Sequence, residues 1–398
     1  MGTKEPGLTW PRGKPVWRAS RAAIRAGFSP AWVNLSYFAN DEAALIARCN
    51  RLNAEVRDWL SGKRGHEPVF NGTIGSLIRF YQIEPSSPYH KLEPASLRPY
   101  GVYAHMITET VGTRRLDALD GRDLDRFAEW SAPLERGGRQ RLAAARMAMI
   151  VLKTALSFGI SCRLPGCAEL KLILQQKRFP APPPRTEAPT AAEIVAVREA
   201  AHELGHPAAA PAYALQFEGA IRLWDVIGVW VPLAYQTPSL IVEGMSKWIG
   251  PTWAQIDDNL IFRFKPKKTQ FTTGAEVTID LHQCPMVLDE IACIPAEARR
   301  GPLAVSPRTG LPYRHERFRE LWRAAAKRAG IKATVWNRDL RAAGVTEARQ
   351  GAAQTDDVAK VVGHSSKRTT ATVYDRDHLE AHRRVAKARV AHRTKDKG

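Results

Sequence analysis

Residues 336–375 read WNRDLRAAGVTEARQGAAQTDDVAKVVGHSSKRTTATVYD, and the punctuation of this stretch decides how the C-terminal part of the chain is organised. Asn337 is a capping side chain, and Arg338, Asp339 and Arg341 follow in a first turn, where i,i+3 spacing puts both arginines on one side. Gly351 closes that helix. Thr355, backed by Asp356 and Asp357, opens a second helix through Val362; Gly363 stops it, and Ser365 or Ser366 starts the next segment. His364 is thereby placed at a turn, upstream of the lone Tyr374.

The chain has 398 residues, enough for two or three domains that each bury a core. Lys and Arg number 59 against 40 Asp and Glu, a net charge of +19, and such an excess in a soluble protein points to nucleic acid as the partner. Cys49, Cys162, Cys167, Cys284 and Cys293 are scattered and odd in number, so they form neither a disulfide framework nor a zinc ribbon. The first residues, MGTKEPGLTWPRGK, lack the apolar core of a secretion signal. The most apolar window, Val226 to Val242, is broken by Pro232, Gln236 and Pro238. A cytoplasmic location and no membrane partner are expected.

Outward from the C-terminal stretch, periodicity predicts a mainly α chain with a small antiparallel β-sheet (α+β). Residues 1–65 begin as a lead-in in which Trp10, Trp17 and Trp32 alternate with Arg18, Arg21 and Arg25. Two readings stay open there: a loosely ordered segment packed on the next domain, or an accessory DNA-contacting module. Leu45, Ile46, Cys49, Leu52, Val56 and Leu60 then recur at helical spacing up to Gly62. Residues 66–177 form a helical domain, with helices predicted from Thr73 to Phe80, from Pro94 to Thr110, from Asp120 past Phe127 and Trp130, and from Gly138 to Phe158. The run RFPAPPPRTEAP (178–189) is an extended linker. Beyond it, residues 190–377 hold a helix from Ala191 toward Leu204 and a helical stretch Leu215–Trp230. Strands Leu260–Lys265 and Glu276–Leu281 flank a basic loop, and a helix spans Pro312–Gly330. Residues 378–398 form a basic tail that either docks on a neighbouring copy or stays solvated.

The ordered set Arg338, Leu340, Arg341, Gly363, His364, Ser365, Ser366, Thr369, Thr370 and Tyr374 resembles the C-terminal signature of the tyrosine recombinases, the phage-integrase family. The resemblance extends back to about residue 190 for a catalytic domain and more loosely to about residue 70 for a core-binding domain. It implies strand cleavage by Tyr374 as nucleophile through a 3′-phosphotyrosyl intermediate, with Arg222 and Arg341 on the phosphate oxygens. It also implies Asp225 as the acid that orients an arginine, Lys268 as proton donor to the leaving oxygen, and His364 as a hydrogen-bond donor to the phosphate. Lys265 and Lys267 compete for the lysine role. Arg338 stands where the family usually has histidine; an arginine cannot act as a base, so a phosphate contact is its expected role. Residues 232–250 form an extra stretch with no assigned role. The implied partners are double-stranded DNA, three further copies in a homotetramer, and accessory DNA-bending proteins. No cofactor and no metal are implied, and the implied setting is bacterial or phage-encoded, at the nucleoid.

Three rivals follow from the same residues: a DNA-binding remnant without turnover, a strand-relaxing enzyme like the type IB topoisomerases, and a zinc protease. The last rests on His202-Glu203-Leu204-Gly205-His206, an HExxH string with Glu218 as a badly spaced third ligand. Pro207 argues against a helix that carries both histidines.

Overall fold

The computed structural model describes residues 5–28, 31–35, 42–62, 70–126, 140–270 and 274–362. His364, Tyr374, the basic tail, and Phe127 and Trp130 of the third predicted helix lie outside the described residues. The chain divides between Pro183 and Pro184 into two units.

The first unit contains two hydrophobic clusters. Strands Leu8–Thr9 (β1), Val16–Arg18 (β2) and Trp32–Asn34 (β3) form an antiparallel sheet in that order, with Trp17 opposite Val33. These strands are too short for alternation to reveal them, so the sequence leaves a loose lead-in and a small module both open. The sheet and helices Arg21–Arg25 (α1) and Glu42–Leu60 (α2) enclose their own core. Trp17 is fully buried, and its indole N–H donates to Asn53 Oδ1 at 2.9 Å. Leu45, Cys49, Leu52 and Val56 face it from α2, following the helical spacing.

The second cluster is helical: Ile74–Ile83 (α3), Pro94–Val111 (α4), Gly121–Asp125 (α5), Leu142–Ser161 (α6) and Cys167–Gln176 (α7). Thr73 and Asp120 start their helices with capping boxes, accepting from Ser76 N and from Asp123 N respectively. Helix α6 is long and apolar enough to cross a membrane. Its Val151, Leu152, Ala155 and Leu156 are buried against this cluster, as in the core helix of a bundle.

In the second unit, Thr190 caps helix Ala191–Glu203 (α8) with Glu193 as the reciprocal partner. The central element is Ala210–Phe217 (α9), in which every residue is buried. Tyr213 packs its ring 5.3 Å from Phe318 and 5.2 Å from Trp322. The predicted helix Leu215–Trp230 is broken. The chain leaves α9 at Phe217, passes through Ala220 with φ 46°, forms the short helix Trp224–Ile227 (α10), and becomes strand Val229–Pro232 (β4). A contiguous apolar run fits a buried strand as well as a helix, and Gly228 at φ 73° supplies the corner that periodicity does not encode.

Strand β4 pairs with Ser246–Ile249 (β6), which also pairs with Val242–Glu243 (β5), so residues 229–249 form an antiparallel sheet ordered β4-β6-β5. Strands Ile261–Phe264 (β7) and Val277–Asp280 (β8) make a second antiparallel pair, with Phe262 opposite Ile279. Helices Pro285–Ala292 (α11), His315–Arg328 (α12), Asp339–Gln350 (α13) and Thr355–Val361 (α14) complete the unit. Arg185, within the proline-rich run, belongs here: its Nε donates to Asp339 Oδ1 at 2.9 Å, and Asp339 is fully buried.

Helix α13 approaches α9 so closely that a Cβ on Gly344 would stand 2.0 Å from the Phe217 carbonyl oxygen. Helix propensity alone favours alanine over an interior glycine by about 1 kcal/mol. Gly344→Ala should nevertheless destabilise the protein, by roughly 1–3 kcal/mol of overpacking strain. Denaturant titration of the two proteins checks this, and a stabilised variant would contradict the packing described.

Candidate functional site

The site grows from Asp225 at the start of the short helix α10. Its carboxylate is 5 % exposed, with Oδ2 3.8 Å from Arg222 Nη1 and Oδ1 accepting the backbone N–H of Lys267 at 2.7 Å. Burial pushes its pKa up; the Lys267 N–H and the charges of Arg222, Arg341 and Lys267 pull it down without cancelling the shift. One carboxylate therefore senses both candidate arginines and the lysine-bearing loop. Arg222 is the more open of the two arginines, with its side chain 20 % exposed.

Arg341 reaches this point from α13. It is buried and donates from Nη1 to the Ala220 carbonyl at 2.6 Å and from Nη2 to the Val362 carbonyl at 2.7 Å. The first bond explains the turn after α9: the left-handed Ala220, a strained conformation for a residue with a Cβ, presents its carbonyl to a guanidinium. The second ties Arg341 to the residue just before Gly363 and His364.

Asn337 does not cap α13 through its side chain. Helix α13 begins at Asp339 with Arg338 in the cap position, while Asn337 is buried and accepts from Gln216 Nε2 at 3.1 Å. Arg338 is exposed, its guanidinium 4.4 Å from the centre of the Trp336 ring. Arg185 approaches the same ring to 4.4 Å.

Lys268 is exposed in the turn after β7, within the segment that joins it to β8. Its neighbour Lys267 is held: its ammonium donates to Tyr235 Oη at 2.9 Å and lies 4.4 Å from that ring's centre. The structure thus gathers Arg222, Asp225, Arg341 and the Lys267–Lys268 turn, and sets Arg338 on Trp336. Tyr235, Trp336 and Arg185 carry no local signature in the sequence. Tyr235 and Arg185 act through partners distant in the chain, and only the cluster of lysines marks the loop as chemical.

The HExxH string makes no metal site. Helix α8 ends at Glu203, Gly205 turns at φ 72°, and His206 stands outside the helix, as Pro207 requires. His202 Nε2 is 2.8 Å from Glu290 Oε2, and Glu203 accepts from Arg328 Nε at 2.8 Å. Glu218 accepts the N–H groups of Met286 and Val287, both at 3.1 Å, at the start of α11. Among the described residues no group of three potential metal ligands occurs.

No protein-family profile matches this chain, and no curated protein sequence matches it. Solved structures do. A lambda integrase dimer bound to a COC′ core site is similar over 94 % of this chain and 96 % of its own, with 15 % identity and a TM-score of 0.57. A lambda integrase tetramer bound to a Holliday junction is similar over 92 % and 97 %, with 14 % identity and a TM-score of 0.56. The Tn1549 transposon integrase in complex with transposon right end DNA is similar over 80 % and 99 %, with 12 % identity and a TM-score of 0.55. The fold is an integrase fold, α+β and mainly helical with small antiparallel sheets.

The raised pKa of Asp225 has a measurable sign. The folded protein binds this proton more tightly than the unfolded chain does. The group therefore favours folding below the ordinary carboxylate range, and that contribution is lost as pH rises through the folded pKa. Asp225→Asn removes the titration. The stability difference between the two proteins should move in the variant's favour as pH rises above about 4, then level off. Denaturation of both proteins across pH 3.5 to about 8 tests it; a difference that moves the opposite way would refute the assignment.

Proposed function

We propose that this chain is a site-specific DNA recombinase of the integrase kind. The convergence of Arg222, Arg341 and the lysine turn on the buried Asp225 carboxylate carries the reading, within a fold shared with DNA-bound integrases. In this scheme Tyr374 Oη attacks the scissile phosphorus and the bond to O5′ breaks, leaving a 3′-phosphotyrosyl link and a 5′-hydroxyl. Arg222 engages a non-bridging oxygen from the open side. Arg341 adds charge from beneath and holds the Ala220 turn and the approach to His364 in place. Lys268 delivers the proton to O5′, and His364 donates to the phosphate.

Arg338 contacts phosphate as a fixed cation, so the tyrosine's proton passes to water or to another group. The phosphotyrosyl bond keeps the energy of the phosphodiester, and a new 5′-hydroxyl reverses the step without ATP. The net charge of +19 supports a long duplex contact. The lambda integrase tetramer on a Holliday junction supports a homotetramer in which each protomer cuts one strand. The domain assignment follows: residues 66–177 as the core-binding domain, 190–377 as the catalytic domain, the N-terminal sheet module as an accessory DNA contact, and the basic tail as a link between protomers. Such a protein would work in the cytoplasm, where its DNA lies.

The test is covalent capture. Nicked duplexes that span the ends of the mobile element encoding the chain are incubated with the protein in excess EDTA. A protein–DNA adduct is expected with wild type and none with Tyr374→Phe. Arg222→Ala should slow adduct formation by about 10²–10³-fold. Specific, salt-sensitive binding of such a duplex without any adduct would instead identify a DNA-binding remnant.

A further inference from the structure

Residues 229–249, which form the sheet β4-β6-β5, lie in the chain between Asp225 and the lysine turn. The loop after β4 carries Tyr235, whose carbonyl accepts the ammonium of Lys247, a β6 lysine that is itself buried. A buried cation thus pins the Tyr235 backbone. The Tyr235 side chain then takes the Lys267 ammonium, by the hydroxyl and across the ring, while Asp225 takes the Lys267 N–H. Lys267 is fixed at both ends.

That restraint falls within a turn. Thr269 N donates to the Pro266 carbonyl at 3.0 Å, which makes Pro266 to Thr269 a hydrogen-bonded turn with Lys267 and Lys268 at its centre. Two adjacent lysines on a loop would compete for one leaving oxygen. Here the first is engaged by an aromatic hydroxyl and the second is exposed.

We infer that Tyr235 is a positioning residue for the lysine turn: by holding the Lys267 ammonium it keeps that cation off the scissile phosphate and fixes the turn that presents Lys268 to the leaving O5′. The inference rests on the recombinase reading above. It gives the 229–249 sheet a task, the selection of one proton donor from two neighbours. In the step itself, one proton moves from the Lys268 ammonium to O5′ as the P–O5′ bond breaks; the neutral amine regains a proton from water.

A substrate with sulfur in place of the bridging 5′-oxygen tests this, because a thiolate leaves without a proton donor. Single-turnover adduct formation is followed with full-length protein on the duplex captured above, in its oxygen form and its 5′-phosphorothiolate form. Lys268→Ala should lose about 10²-fold or more on the oxygen substrate and recover on the sulfur substrate. Tyr235→Phe, which keeps the ring and its packing, should lose about tenfold on oxygen and nothing on sulfur.

Equal losses on both substrates, or no loss on either, would overturn the role of Tyr235. So would rescue by sulfur of Lys267→Ala rather than Lys268→Ala. If wild type forms no adduct with either substrate, the recombinase reading itself falls, which separates the two failures.

Discussion

Burying a carboxylate takes it out of water, and at Asp225 the compensating cations and N–H do not fully repay that loss, since its pKa stays raised. A better-packed apolar residue would serve stability more cheaply. What the carboxylate supplies is geometry. It sets Arg222, the lysine turn and the field of Arg341 about one point, although these come from three separate segments of the second unit. Removing it would take away the negative charge that both Arg222 and Arg341 act on. The strained Ala220 turn belongs to the same device, because its carbonyl gives one of those guanidiniums somewhere to donate.

A second cationic arrangement surrounds Trp336. Arg338 and Arg185 both lie 4.4 Å from its ring centre, and Arg323 lies at 5.7 Å. A guanidinium on an indole keeps its charge at every physiological pH, whereas an imidazole at the Arg338 position would switch between charged and neutral forms. Whatever this corner meets, it meets with constant charge. Asp339, which pairs with Arg185, also accepts the backbone N–H of Trp336 at 2.8 Å and so fixes the bend that leads into α13.

Much of this was legible in the sequence, for identifiable reasons. The faces of α2 and α6 follow from Leu45, Cys49, Leu52 and Val56 and from Leu152 and Leu156, whose helical spacing is a local property. The family resemblance singled out Arg222 and Arg341, both of which act on Asp225, and the end of α8 before His206 follows from Pro207. What escaped was whatever depends on a distant partner. The break after Phe217 needs Arg341, over a hundred positions on, to stabilise the Ala220 carbonyl. The N-terminal core is closed by contacts far apart in the chain, such as the bond from Trp17 to Asn53. The 229–249 sheet left no periodic trace, because its strands have four, two and four residues. Tyr235 has no local signature, because its partner Lys267 is 32 positions on.

The bond between Arg185 and Asp339 changes what the proline-rich run is. Polyproline spacers are normally interchangeable in sequence provided their reach is kept. This one carries a counter-ion for a fully buried carboxylate, inserted ahead of the first helix of the unit that needs it. A fragment trimmed to start at Thr190 would look complete by secondary structure yet lack the guanidinium that faces the buried Asp339 carboxylate at the start of α13. A fragment started at Pro184 would bring its own neutralising charge. The functional edge of the second unit is therefore set by electrostatic closure, several residues upstream of its first helix.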